Sequence, residues 1–572
     1  MRLRGFVWLG LVALAACSDD TSGPSESVGL DETQGDGDPS GDGDPSTGDG
    51  DPSTGDGDGD STTTTGDGDP TTTGDGDGDP TTGDGDGDPP PPFTPFAESE
   101  WARGDIRVDR VEVNQGTAIE VVSNGQLIPV EQRTGGLVKD RNALVQAYWA
   151  VPQGWQARPI LARLHLRNTA GELDYIDVVK TISGSPSSGS LNGPITWQLP
   201  AGIFQANTEF FIELREAEGA GGIAASSQSP SAPAGGMQPL GVPPDPMEGK
   251  IILVPVKYSY GNCNTDTTSI LNNNLDAFAD HWFAQNPVSK LEISVHPVGL
   301  TQNTQVATLS QINNALVALR FNDFAEPNEY YFALLNACSG GVDGAGGLAP
   351  GLPGPIKGAG DLRVSTGLWT SLNWSMDTFV HETGHNQGRP HSPCGGPDGA
   401  DDNYPHGGAV IGAWGFDILT GAWKSPSTYK DYMSYCGPTW VSDWTWGWVH
   451  EQVRQLTSWD YAGGSPSDDV AQMGEILHGW VHPSGLESWW TSPGELPEDM
   501  LTTAESVAYY DEDGLLIAEL PAASWVLEDD KTRYFMAEVP DSDLDLVADI
   551  VRVSKDVESL VPRHTVTRYF AR

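Results

Sequence analysis

The stretch VHETGHNQGRPH, residues 380–391, places three histidines and one glutamate within twelve positions. Its full pattern is His381, Glu382, His385, Gly388 and His391. The chain has 11 histidines and 70 glycines in 572 residues. With glutamate taken at roughly 5%, a chance match somewhere in the chain has a probability on the order of 10⁻⁵. The pattern therefore calls for a chemical explanation.

Helix geometry supplies that explanation. His381 and His385 are four residues apart, so both imidazoles project from one helix face, and Glu382 lies on the flank. Gly388 is expected to end the helix with a positive φ, and the turn brings His391 back as a third ligand. Three neutral histidines and one open position indicate catalytic zinc, because structural zinc sites close all four positions with protein ligands.

The predicted chemistry is hydrolysis by a zinc-bound water. Zinc lowers the pKa of the bound water and polarises the substrate carbonyl, while Glu382 accepts the proton and passes it to the leaving amine. The helix that carries the motif is expected to be capped by Ser375 or Asp377 and to run to about Gln387. The residues thus predict zinc-dependent hydrolysis with an amine as leaving group.

The motif, followed by a methionine turn, resembles the signature of the metzincin zinc endopeptidases. The matching turn is YKDYMSYCG, whose Met433 lies 42 residues after His391. The resemblance implies that Met433 is an apolar base under the histidines and that Tyr435 binds zinc or stabilises the tetrahedral intermediate. Ordinary core packing and a surface aromatic are the respective alternatives. The resemblance covers roughly residues 250–460. Less specifically, the surroundings are similar to secreted bacterial metzincins of the mucin-degrading type, so proteins or glycoproteins are the expected substrates.

Five cysteines are present, and the four that follow Cys17 favour two disulfides in an exported chain, with three possible pairings. On the metzincin resemblance, a Cys394–Cys436 bridge would tie the loop after the third histidine to the methionine turn. Cys263 and Cys338 then pair by default. Neither pair has Cys-x-x-Cys spacing, so a thiolate zinc site is not expected.

The first 17 residues, MRLRGFVWLGLVALAAC, predict a signal peptide, because the apolar run is too short to span a bilayer. Its end, LAAC, resembles a bacterial lipobox, which implies cleavage before Cys17 and lipidation of its thiol. The alternative is an ordinary secretory signal with a chance cysteine. The expected location is therefore a bacterial membrane or cell surface, reached through a lipid anchor.

Residues 18–97 are a Gly/Asp/Pro/Thr-rich acidic tract with few apolar side chains, and we expect a disordered tether. Its Gly-Asp alternation superficially resembles a calcium loop, but no bidentate glutamate closes it, so calcium is possible but unsupported. Residues 1–100 carry 24 acidic side chains against 2 arginines, a net charge of −22 that leaves −28 of the total −50 elsewhere. This acidity argues against a nucleic-acid partner.

Three globular domains are predicted after the tether, in a chain expected to be a monomer. Residues 98–247 alternate apolar and polar side chains in short runs, typical of an antiparallel β-sandwich, and 219–247 is expected to be a connector. Residues 248–463 alternate strands and helices, as in an α/β metzincin-like catalytic domain. Residues 464–572 predict a small C-terminal β-domain with a hairpin turn at Asp513-Gly514.

Several other residues are weaker candidates. His406 could touch substrate or be a plain surface residue, and Asp401-Asp402 could bind calcium or belong to a solvated loop. Residues 344–351 (GAGGLAPG) are either the cleft-rim strand that the resemblance implies or a flexible surface loop. Six tryptophans fit sugar stacking and core packing about equally, namely Trp414, Trp423, Trp440, Trp444, Trp446 and Trp448.

A function of a different class is kept beside the peptidase. The chain could be a surface adhesion or glycan-binding lipoprotein with a vestigial metal site. The peptidase hypothesis requires Glu382 to act as a general base, whereas the adhesion hypothesis gives Glu382 no catalytic role.

Overall fold

The computed structural model describes residues 100–168, 171–186, 193–397, 399–461, 474–493, 496, 501, 505–527, 531–540, 544–554 and 557–568. The predicted signal peptide 1–17 with Cys17 and the predicted tether 18–97 lie outside the described residues. Within the described part, no helix combines the length and the apolar character that a membrane span requires.

Residues 100–247 form two antiparallel sheets. The first has the strand order β3-β2-β1-β4-β7, and the second has the order β10-β8-β5-β6 with β9 also paired to β8. The short alternating runs of apolar and polar residues, predicted from the sequence as strands, all lie in these two sheets. The strands are β1 (Arg107–Asn114), β2 (Ala118–Ser123), β3 (Gln126–Leu127), β4 (Ala143–Ala150), β5 (Arg158–Asn168), β6 (Gly171–Ile182), β7 (Ile195–Leu199), β8 (Glu209–Glu216), β9 (Ser231–Ala232) and β10 (Gln238–Pro239).

The expectation of a plain connector over 219–247 is wrong. β9 and β10, both within this segment, pair with β8 and extend the second sheet. The Ser226 hydroxyl also donates a hydrogen bond to the Ala102 carbonyl. Two-residue strands have no apolar alternation, so the sequence pattern of this Gly/Pro-rich segment could not reveal them.

The described residues of 248–461 combine a seven-stranded mixed sheet and two small two-stranded sheets with four α-helices. The strands are β11 (Glu248–Tyr260), β12 (Cys263–Asp266), β13 (Lys290–Val295), β14 (Leu300–Gln302), β15 (Tyr330–Leu335), β16 (Gly347–Leu348), β17 (Val364–Leu368), β18 (Gly415–Phe416), β19 (Trp423–Lys424), β20 (Lys430–Asp431) and β21 (Thr439–Trp440). The helices are α1 (Thr268–Gln285), α2 (Ser310–Asn322), α3 (Leu372–Asn386) and α4 (Asp443–Tyr461).

The main sheet has the order β12-β11-β15-β17-β16, with β13 and β14 pairing β11. β11, β15 and β17 are parallel, and all five residues of β17 are buried. β16 is antiparallel to β17 and forms the edge, within the segment predicted for the cleft rim. The main-chain groups of β16 that face away from β17 thus lie at the outer edge of this sheet.

The helix that carries the histidine motif begins earlier than predicted. α3 starts at Leu372 with Ser371 at its N-cap position, so Ser375 and Asp377 lie inside it. The Ser375 hydroxyl is buried and donates to the Leu368 carbonyl at the end of β17. The polar residues that resemble caps therefore join helix to sheet.

Three of the candidate tryptophans join residues 100–247 to residues 248–461. The indole N–H groups of Trp440 and Trp446 donate to the carbonyls of Gly116 and Gly136, at 2.8 and 3.0 Å. The Trp414 carbonyl accepts the Ala118 N–H at 3.0 Å. The buried side chains of Trp440 and Trp446 therefore favour core packing over sugar stacking for these two residues.

Residues 474–568 form one sheet of eight strands in the order β28-β27-β24-β25-β26-β22-β23-β29. The strands are β22 (Glu475–Val481), β23 (Glu487–Pro493), β24 (Glu505–Tyr510), β25 (Leu516–Val526), β26 (Arg533–Glu538), β27 (Asp549–Ser554), β28 (Val557–Pro562) and β29 (Val566–Arg568). The Asp513-Gly514 turn joins β24 to β25 as predicted, with Gly514 at φ +74°.

The eight-stranded C-terminal sheet shares a hydrophobic core with residues 248–461. Trp480, Trp490 and Leu527 pack in one cluster with Leu316 and Leu348. Hydrogen bonds at its margin join Asn314 to Ser488 (2.9 Å) and His482 to Asp343 (2.7 Å). This packing holds the end of β25 close to the rim strand β16.

Candidate active site

Helix α3 carries His381 and His385, and Met433 packs against the same helix. Gly384 has no side chain, and a β-carbon built there would lie 2.4 Å from the Met433 sulfur. Met433 is fully buried, so its thioether fills the space that the glycine leaves. The methionine turn therefore lies directly against the helix turn that bears His381 and His385.

The third histidine is brought back by a glycine turn. Gly388 has φ +77°, and the Arg389 N–H bonds back to the Gly384 carbonyl at 3.0 Å, which closes the end of α3. A side chain is disfavoured in this left-handed backbone region. The chain then reverses, and His391 is buried beside His385 with ring centroids 4.5 Å apart.

The three imidazoles converge on one point. The His391 Nε2 lies 3.1 Å from the His385 Nε2 and 3.2 Å from the His381 Nε2. Tetrahedral zinc with Zn–N bonds of 2.0–2.1 Å would set its nitrogen ligands roughly 3.3 Å apart. The spacing and the donor set therefore fit a zinc ion.

Backbone carbonyls fix the tautomers of two of these rings. The Nδ1 of His381 lies 2.7 Å from the Tyr432 carbonyl oxygen, and the Nδ1 of His385 lies 2.7 Å from that of Arg389. Because a carbonyl only accepts, each Nδ1 carries the proton and each Nε2 turns a lone pair toward the shared point.

Burial keeps two of the three histidines uncharged. Burial, followed by the neighbouring histidines, holds the pKa of His385 well below its usual value. The same causes, with burial first and His381 second, lower the pKa of His391 to about 3. Both rings are therefore neutral near pH 7, the form that binds metal.

Glu382 lies against the rim strand. It is 3% exposed, and a β-carbon built on Gly347 would lie 2.3 Å from its Oε1 and 2.7 Å from the Thr378 methyl. The glycine at position 347 therefore lets the edge strand approach the carboxylate closely.

Asp431 organises the methionine turn. Its Oδ1 accepts the Met433 N–H at 2.8 Å and the Ser392 hydroxyl at 3.1 Å, and its Oδ2 accepts the Ser442 N–H at 3.2 Å. The Ser392 N–H donates in turn to the Met433 carbonyl. Sequence reasoning missed Asp431. Its position two residues before Met433 is the usual Asx-turn spacing and was an available signal.

Tyr435 and the disulfides border the histidines. The Tyr435 ring centroid is 4.7 Å from that of His391, and the side chain is 47% exposed. The Tyr435 N–H donates to the Cys394 carbonyl, next to the Cys394–Cys436 disulfide. A second disulfide joins Cys263 to Cys338. Both pairs are the ones that the metzincin resemblance implies.

The loop beyond His391 is held by a buried ion pair. Asp401 is bound by Arg389 (3.2 Å) and by the Trp444 indole N–H (2.9 Å), and its own N–H donates to the His391 carbonyl. These donors engage the carboxylate, so the calcium hypothesis for Asp401 loses support. Asp401 instead secures the third-histidine loop.

The remaining candidates lie apart from the histidines. His406 is half-buried and pairs with Asp443 at 2.6 Å, so it is not the plain surface residue that was expected. Trp448 is 57% exposed and lies 6.1 Å from Trp444, ring to ring. Trp423 packs on Phe416 at 4.8 Å.

Two cavities flank the histidines. One, of about 550 Å³, is lined by His381, Glu382, Tyr435 and residues 344–347. The other, of about 360 Å³, lies beside His385 and His391. The larger cavity borders β16 at Gly347, and the smaller one borders Ala349, the residue after β16.

Residues 246–438 match the family Peptidase M66. This is a zinc metallopeptidase family, and the match supports a metalloprotease. We call residues 246–438 the M66 segment. It contains the three histidines, Glu382, Met433 and Tyr435.

A curated relative gives a second comparison. Dictomallein-5 of Dictyostelium discoideum is 35% identical over 118 residues, which are 20% of this chain and 16% of the relative. The chain therefore spans less than a fifth of that protein's length. The metal-binding geometry agrees with the peptidase family of the M66 segment.

Proposed function

We propose that this chain is an exported zinc endopeptidase that hydrolyses peptide bonds of proteins or glycoproteins. The observation that carries the proposal is the convergence of the His381, His385 and His391 Nε2 atoms beside the buried carboxylate of Glu382. Closure by three protein ligands rather than four leaves a position for water or substrate.

The three histidines would hold the ion. When bound, zinc supplies a Lewis acid that polarises a carbonyl and makes water a nucleophile at neutral pH. The carbonyls of Tyr432 and Arg389 orient two of the rings, and Met433 packs beneath them.

Glu382 acts as the general base. It accepts a proton of the attacking water as the C–O bond forms, and it delivers that proton to the leaving amine when the C–N bond then breaks. Its burial against Gly347 keeps the carboxylate in one place relative to the rim strand. Tyr435, whose ring adjoins His391, donates a hydrogen bond from its hydroxyl to the oxyanion that develops on the substrate carbonyl.

The substrate binds as an added strand. β16 is the edge of the sheet, and the small residues around it allow another backbone to approach. A peptide antiparallel to β16 would pass between Glu382 and Tyr435, with its scissile carbonyl over the histidines.

The cellular setting is part of the proposal. A lipid on Cys17 would hold the protein at a bacterial membrane or surface, and residues 18–97 would space the catalytic region from it. The two disulfides are typical of an exported protein. We propose a monomer that does not bind nucleic acid.

Metal removal and restoration test the proposal. The purified protein should cleave casein, lose that activity on treatment with a chelator, and regain it on addition of zinc. His385→Ala should abolish both zinc binding and cleavage, while His165→Ala, in β5, should change neither. An adhesion protein with a vestigial site would leave casein intact in every arm.

A further inference from the structure

The smaller cavity beside the histidines is built by two parts of the chain. Its volume is about 360 Å³, and it adjoins His385 and His391. One wall comes from the M66 segment, with Ala349, Leu352 and Leu362. The opposite wall is the end of β25 and the residue after it, residues 525–527, which lie outside that segment.

The second wall is firmly held. The Trp525 indole N–H donates to the Pro350 carbonyl at 3.1 Å, two residues beyond the rim strand. The Trp525 ring stacks on Tyr534 with centroids 5.9 Å apart. Leu527 is 8% exposed and packs in the same cluster as Leu348. The C-terminal sheet therefore fixes both the wall and its distance from β16.

Strand direction tells which part of a substrate this cavity meets. β16 runs from Gly347 to Leu348, and the chain continues to Ala349 and Leu352 over the cavity. A peptide antiparallel to β16 runs the opposite way. Its residues before the scissile bond lie over this cavity, and those after it lie over the larger one.

The chemistry of the walls selects the side chain. Apart from the two histidines, the described lining residues are apolar or glycine, and Val526 is 41% exposed at the cavity mouth. Covering such surface with an apolar side chain releases water, whereas a carboxylate would lose its hydration without gaining a partner.

The geometry points to a specificity subsite for a large apolar side chain N-terminal to the scissile bond, with one wall supplied by Trp525, Val526 and Leu527 of the C-terminal sheet. This inference rests on the proposed function, because it takes the bound peptide to lie along β16 with its carbonyl over the histidines.

Peptide hydroxamates test it through binding alone. A hydroxamate at the peptide C-terminus chelates zinc, so the probe's side chains can only extend over the N-terminal side of the cleft. Probes of the form acetyl-tripeptide-NHOH carry leucine, aspartate or lysine at P1, P2 or P3 and glycine elsewhere. Their Kd values are measured by calorimetry on the zinc-loaded full chain, with zinc content and Tm determined in parallel.

Wild type should bind the leucine probe at least about tenfold tighter than the aspartate probe at one of these positions. Val526→Lys should reduce that ratio about tenfold by filling the mouth and placing a cation there. Leu516→Lys is the control, because Leu516 is 54% exposed on the same strand and roughly 30 Å away. It should leave the ratio unchanged.

The outcomes separate the proposed apolar subsite from the proposed metallopeptidase activity. Equal affinities for leucine and aspartate probes, or an unchanged ratio in Val526→Lys, would overturn the apolar subsite and leave the metallopeptidase intact. Failure of the zinc-loaded chain to bind any hydroxamate would overturn both.

Discussion

Replacing Gly347 with alanine should disable catalysis without removing the metal site. The added β-carbon would lie 2.3 Å from the Glu382 Oε1 and 2.7 Å from the Thr378 methyl. Non-bonded carbon contacts are comfortable near 3.5 Å, so the carboxylate must withdraw by about 1 Å. A displacement of about 1 Å in a catalytic group can cost about 10²-fold in rate. We expect kcat/KM to fall by about that factor, while overpacking lowers stability by about 1–3 kcal/mol.

The assay is kcat/KM on a fluorogenic peptide, with zinc content and Tm measured on the same samples. Gly340→Ala is the control, since a β-carbon built on Gly340 meets nothing within 4 Å, and it should leave kcat/KM unchanged. On a Glu382→Gln background, Gly347→Ala should add little further loss, because both changes act through the same carboxylate. Activity of Gly347→Ala within about threefold of wild type would refute the placement of Glu382 under the rim strand.

Three further changes probe the groups around the histidines. Tyr435→Phe should lower kcat by roughly 10²-fold with KM unchanged, because only the oxyanion donor is lost; unchanged steady-state constants would exclude that role. Asp401→Asn should destabilise the fold by about 3 kcal/mol and weaken zinc binding, since it leaves buried Arg389 without its counter-charge. Urea unfolding measures the first effect and zinc titration the second. Stabilisation of the wild-type protein by added calcium would contradict this account. Peptide mass mapping should find Cys394 joined to Cys436, and replacing both with serine should cost about 4 kcal/mol for a loop closed over 42 residues; either cysteine found free would contradict it.

The clustering of the three histidines could be predicted because it is local in sequence. His381 and His385 share a helix face by spacing alone, and Gly388 marks the turn that returns His391. Apolar periodicity likewise predicted strands β1, β4, β5, β6, β7 and β8 of the two N-terminal sheets, and the alternation of strands and helices around β11. These features depend on neighbours within a few residues, which a single sequence records.

The rest of the site depends on contacts between distant residues. Trp525 reaches the Pro350 carbonyl across 175 positions, and nothing near either residue in sequence indicates the contact. The sequence left Asp401 between calcium binding and a solvated loop, because its partner Arg389 lies 12 positions away and no local pattern indicates the pair. The start of α3 was misplaced for a similar reason, because the Ser375 hydroxyl bonds to β17 rather than capping the helix.

The central claim is that Glu382 performs the proton transfer at a zinc ion held by three histidines. It is tested most directly by measuring zinc content and casein hydrolysis on the same preparations of wild type and Glu382→Gln. Glu382→Gln should keep about one zinc per chain, as in wild type, because no ligand is altered, and should lose at least about 10²-fold in hydrolysis. Hydrolysis by Glu382→Gln at the wild-type rate, or by wild type depleted of metal, would contradict the account.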